Sequence, residues 1–154
     1  MALGTKVDQK FAKASLNLNL SMAKCLISQG MLIPTSNIKL AEENLRVRAL
    51  DLTWVNHLKM TMQFSPLATY TPWAVVTYTN SPYTTVLNHP DRFEFTVIGG
   101  NHSLCATQEL AKEFPNNPVF QSRLCRVFYN PSEELALEVN FVFFLFFLLS
   151  QMNY

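Results

Sequence analysis

The sequence predicts an α/β or α+β domain, on three observations. Segments rich in β-branched and aromatic residues alternate with segments of helical spacing. One strand-like segment, Phe93–Ile98, runs straight into Gly99–Gly100 and a helix. Of 154 residues, 49% are hydrophobic and 15% charged, which supplies one buried core and argues against disorder.

Residues 5–29 read as a helix, with Phe11, Leu16, Leu18, Leu20 and Leu26 as apolar positions and Gly30 as its stop. Met31–Pro34 reads as a short strand and Thr35–Asn37 as a turn. Residues 50–62 form an amphipathic helix, since Leu50, Trp54, Val55, Leu58 and Met62 recur at spacings of three and four. Asp51 is its N-cap or first-turn acid. Pro72–Thr79 is a buried strand. Asn80–Pro82 and His89–Asp91 punctuate a loop. Phe93–Ile98 is a strand, and Asn101–Phe114 a helix that Pro115 stops. Val119–Phe128 is a further strand. Asn130-Pro131-Ser132-Glu133 reads as a helix start with Asn130 as N-cap.

Composition excludes several classes. Twelve Lys and Arg against eleven Asp and Glu leave a net charge of +1, so no strong field draws in DNA or an acidic membrane. Residues 1–63 hold eight basic and four acidic side chains, and residues 64–154 hold four and seven, so the N-terminal half is mildly basic. Cys25, Cys105 and Cys125 form an odd set without a CxxC, which removes zinc-ribbon and thioredoxin motifs and points to an intracellular chain, cytoplasmic or nuclear. Asn17, Asn19, Ser21 and Lys24 break any signal-peptide apolar region.

Gly99–Ser103 carries the chemistry. Half of the four glycines sit there, between a strand and a helix. Glycine permits positive φ and close approach of a ligand. The helix start offers amides and the positive end of its dipole, which suits an anion such as phosphate. It is neither a Walker A loop nor a GxGxxG fingerprint, and it also fits a plain strand-to-helix turn. Cys105 falls three residues after His102, but no third group orients such a pair for nucleophilic catalysis. No general base and no metal-binding carboxylate pair can be assigned.

Val97-Ile98-Gly99-Gly100-Asn101-His102-Ser103-Leu104-Cys105-Ala106 resembles the Gly-x-His-Arg…Ala segment of the ParB/sulfiredoxin-like superfamily. Ile33–Ile38 is similar to the strand and turn that open such domains. Asn44-Leu45-Arg46 is similar to their Asn-x-Arg element, and Trp73–Tyr78 to their next strand. The order of these four segments, across residues 30–138, carries the resemblance. It implies an α+β fold, a small mixed sheet with flanking helices. It also implies a nucleotide ligand, CTP or ATP, with Mg as companion ion. Gly99, Gly100, Asn101, His102 and Ser103 would cradle phosphate, Arg46 would supply charge, and Asn44 would hydrogen-bond nearby.

Three departures qualify the resemblance. Ser103 stands where the family has Arg, so a cation is lost. Asn101 stands where sulfiredoxins carry their catalytic Cys, so sulfinic-acid reduction is not expected. The family's downstream Asn-and-Arg segment is replaced by Phe141–Leu149, nine apolar residues without an Arg. That run is short for a membrane span, which needs about 20 residues. It reads as a core element, a membrane-surface element, or sequence foreign to the domain. The expected organisation is an N-terminal helical extension over 1–29, the domain over 30–138, and an apolar tail over 139–154.

Three functions follow as expectations. The first is a nucleotide- or phosphate-binding module with a weakened site. The second is a DNA-associated or nuclease-like protein, which would need a basic patch from Lys39, Arg46, Arg48 and Lys59. The third is an inactive remnant or incomplete gene product.

Overall fold

The computed structural model describes residues 21–42, 49–65 and 72–138. Residues 21–23 are helical and lead into β1 (Leu26–Pro34); a 3-10 turn over Thr35–Asn37 leads to β2 (Ile38–Lys39). Next come α1 (Leu52–Phe64), β3 (Trp73–Thr77), α2 (Tyr83–Asn88), a 3-10 turn over Pro90–Arg92, and β4 (Phe95–Val97). The chain continues through α3 (Asn101–Glu113), α4 (Pro118–Gln121) and β5 (Ser122–Tyr129), and residues 133–138 are helical.

The strands form a mixed sheet in the order β1-β5-β3-β4-β2. β1 runs antiparallel to β5 and β3 antiparallel to β4, while β3 with β5 and β2 with β4 are parallel. The fold is therefore the α+β arrangement expected, a small mixed sheet flanked by helices. One sheet face carries the main core: Ile33, Val75, Phe95, Val97, Cys125 and Val127, covered by Val86 and Leu104. Alternation sends Val76 and Phe128 to the other face, where Met22, Ile98 and Leu135 cover them. Val55 and Met62 of α1 meet Ala106 and Leu110 of α3 in a third cluster that includes Phe120. Each fully buried side chain of this size stabilises the fold by roughly 1.5–3 kcal/mol.

Four elements differ from expectation. The helix expected over 5–29 does not continue past residue 23, because Leu26–Pro34 is strand; residues 1–20 lie outside the described set. The long pairing with β5 overrides the weak helical periodicity, putting Ile27, Met31 and Ile33 on the main core. Gly30 thus lies inside β1, where two register irregularities break the ladder, and is not a helix stop. The loop expected between Asn80–Pro82 and His89–Asp91 contains α2, a six-residue helix whose buried side chain is Val86. The strand expected from Val119 begins at Ser122, because Asn117 caps Val119 with Pro118 at the first helical position.

The fourth is Asn130, which is not an N-cap. Its φ is 49°, and its side chain clasps Thr79, accepting from Thr79 N and donating to Thr79 O, both at 2.9 Å. Ser132 takes the cap, its Oγ accepting from Leu135 N at 3.2 Å. Asp51 holds its expected place: its carboxylate accepts from Thr53 N and Trp54 N at the start of α1.

Candidate anion site at the start of α3

β4 delivers the chain to the corner. Ile98 N donates to Ala74 O at 2.8 Å, so pairing with β3 persists to the residue before the glycines. Gly99 and Gly100 then adopt φ values of 72° and 71°, in the left-handed region that disfavours residues with a Cβ. Two consecutive left-handed residues turn the strand into α3 without a loop. Gly100 is the N-cap and offers no side-chain hydrogen bond; the first turn contains no acidic residue. The amides of a first helical turn point out along the axis, where an anion meets them and the positive dipole end. A Cβ built on Gly100 would meet nothing within 4 Å, so this side of the corner is open.

The first two side chains of α3 face another segment. Asn101 Oδ1 accepts from Ala41 N at 3.0 Å. His102 is buried, and its Nε2 accepts from Asp51 N at 2.9 Å. Ser103 is half-buried, and its carbonyl accepts from Thr107 Oγ1 at 2.8 Å. Asn44 and Arg46 lie outside the described residues, in the stretch of sequence between Ala41 and Asp51, the two partners just named. Sequence reading assigned Asp51 only a cap, and nothing in spacing alone signalled that its amide reaches α3. Gln108 was also missed: its Nε2 donates to Thr35 O and Ile38 O and fixes α3 against the β1–β2 turn.

A cleft of about 170 Å³ adjoins the corner, lined by Lys39, Ala41, Tyr78, Thr96, Ile98 and Glu133 among others. Burial, reinforced by the charges of Glu133 and Cys25, pushes the Tyr78 hydroxyl pKa up. Larger hollows of about 580 Å³ at Glu113–Pro118 and about 260 Å³ at Leu32, Pro72 and Leu124 lie elsewhere. They are not at the glycine corner, and size alone does not make them sites.

The basic patch is not assembled by its described members. Lys39 Nζ meets Glu94 at 2.8 Å, and Lys59 Nζ meets Glu113 at 2.6 Å and Glu109 at 3.1 Å. The hydrogen bonds that Lys59 donates to Glu113 and then Glu109 raise its pKa. Arg46 and Arg48 lie outside the described residues. Cys105 packs against the α1–α3 cluster, as a small apolar side chain does. Among the described residues no group of three or more His, Cys, Asp or Glu could hold a metal ion. Among the described residues no helix is long and apolar enough to cross a membrane; Phe141–Leu149 lies outside them.

No protein-family model matches the sequence, and no curated protein matches it. Among solved structures, the fold is similar to the C-terminally truncated chromosome-partitioning protein ParB from Caulobacter crescentus, crystallised with CTP-γ-S. The TM-score is 0.50 at 11% identity, over 75% of this chain and 52% of that one. The chain thus spans about half the length of that ParB. The likeness is one of fold.

Proposed function

We propose that this chain is a nucleotide- or phosphate-binding module of ParB-like fold, with its anion site at Gly99–Ser103. The observation that carries the reading is the pair of left-handed glycines opening onto an uncapped, acid-free helix start. The fold likeness to a ParB crystallised with CTP-γ-S supports the choice of a nucleotide. In this reading the binding module takes in the whole of β1, from Leu26, and runs to residue 138.

In this reading the amides at Asn101–Ser103 and the Ser103 hydroxyl hold phosphate oxygens. The adjoining cleft takes the rest of the ligand. Arg46 and Asn44 contribute from the stretch between Ala41 and Asp51, whose two amides are tied to Asn101 and His102. Magnitudes decide the ranking. A helix dipole contributes about 0.3–1 kcal/mol toward an anion. A charge-assisted hydrogen bond from guanidinium contributes about 1.5–3 kcal/mol. Arg46 is therefore the main source of affinity, and Ser103 in place of a second cation makes the site weak. Mg would supply charge neutralisation on the phosphates.

Calorimetric titration of the purified chain with CTP and with ATP, with and without Mg, tests the reading. Saturable binding of either nucleotide is expected. Binding by neither, even at millimolar ligand, removes it.

A further inference from the structure

We infer that the His102 side chain serves this site as a positioning residue, its Nε2 acting through the Asp51 amide. The inference rests on the binding reading above and assigns the site's histidine a role that reading leaves open.

Three observations carry it. His102 is 5% exposed, in the first turn of a helix whose N-terminus is open. Its Nε2 accepts from Asp51 N at 2.9 Å. Asp51 in turn caps α1, its Oδ1 accepting from Thr53 N at 3.0 Å and Trp54 N at 3.4 Å. One residue fixes the first turn of α3 to the first turn of α1. Asn101 makes the parallel contact on the other side, through Ala41 N.

The chemistry of the ring sets the role. An imidazole nitrogen that accepts carries no proton, so in the neutral ring the proton sits on Nδ1. Nε2 therefore cannot donate to a phosphate oxygen while it holds the Asp51 amide; the ring's one proton stays on Nδ1. What the arrangement requires of position 102 is an acceptor at that reach.

Two measurements test this. The first is the long-range 1H–15N spectrum of the wild-type histidine rings, with His102 assigned by its absence in a variant. The Nδ1–H tautomer is expected, unchanged on saturation with CTP. The second compares His102→Gln, which keeps an acceptor at similar reach, with His102→Leu, which keeps bulk only. His102→Gln should bind CTP within about threefold of wild type, and His102→Leu about tenfold or more weakly, since the part-buried hydrogen bond that joins α3 to α1 is at stake. An Nε2–H or doubly protonated ring in the CTP-bound wild type overturns the inference alone. So does undiminished binding by His102→Leu. Should His102→Leu fail to fold, the wild-type tautomer decides. Absence of CTP binding by the wild type overturns the binding reading and this inference with it.

Discussion

The backbone amide of Asp51 donates to His102 Nε2 at 2.9 Å while the Asp51 carboxylate caps α1. The two functions use different atoms and separate by mutation. Asp51→Ala removes the cap and leaves the amide. It should lower stability by about 1 kcal/mol, read as a lower urea midpoint at unchanged slope. Asp51→Asn should change it by only a few tenths, because Asn caps as well as Asp.

Gly100 and Gly30 should respond in opposite ways to alanine. At Gly100 the φ of 71° is the whole difficulty, since a Cβ there meets nothing within 4 Å. Left-handed strain costs about 1–2 kcal/mol, and Gly100→Ala should be destabilising by about 1 kcal/mol once the stiffer unfolded chain is counted. At Gly30 a Cβ would rest against the Leu124 side chain at 3.5 Å, an ordinary contact. Gly30→Ala should be neutral or stabilising by roughly 0.5 kcal/mol. Thermal unfolding of both variants checks the contrast.

Restoring a cation at the helix start should strengthen the site. Ser103→Arg places a guanidinium beside Gly100, and triphosphate affinity should rise about tenfold or more. Arg46→Ala should lower it by about the same factor. Calorimetry on both variants measures this. No change in either means that the corner is only a turn.

Three groups make the fold sensitive to base. Burial pushes the Cys125 thiol from 9.0 up to about 12, against a smaller opposing effect of Arg123. Tyr78 is raised from 10.0 and Lys59 from 10.5. In each case the folded chain keeps a proton that the unfolded chain releases, so stability falls as pH rises. The loss should be absent below about pH 9 and grow toward pH 12. Urea midpoints at rising pH test the sign, and Cys125→Ala should flatten the first part of the decline. In the native state at neutral pH, Cys125 should resist alkylation, because the reactive thiolate is suppressed.

Strongly patterned elements were legible in the sequence. The spacing of Val55 and Met62, and the cap at Asp51, located α1 to within two residues. The glycine pair located the corner, because few other residues tolerate positive φ. Met31–Pro34 was read as a strand, but the first half of β1 was misread as helix because its partners, Phe128 for Leu26 and Val127 for Ser28, lie far along the chain, which no local pattern reveals. Asn130 was misread because two side-chain bonds to Thr79 outweighed the helix-start pattern it sits in. At the corner, residue types predicted donors and acceptors but not partners. That His102 faces Asp51 follows from how α1 and α3 pack, through Val55, Met62, Ala106 and Leu110.

The most direct measurement is an amide-resolved 1H–15N titration of the wild-type chain with CTP. The account predicts that the largest shifts fall on Gly99, Gly100, Asn101, His102 and Ser103 and saturate together, with smaller shifts at Thr96 and Ile98 along the adjoining cleft. Shifts centred instead on the Leu32–Leu124 hollow, or no saturating shift at the glycine corner at millimolar CTP, would contradict it.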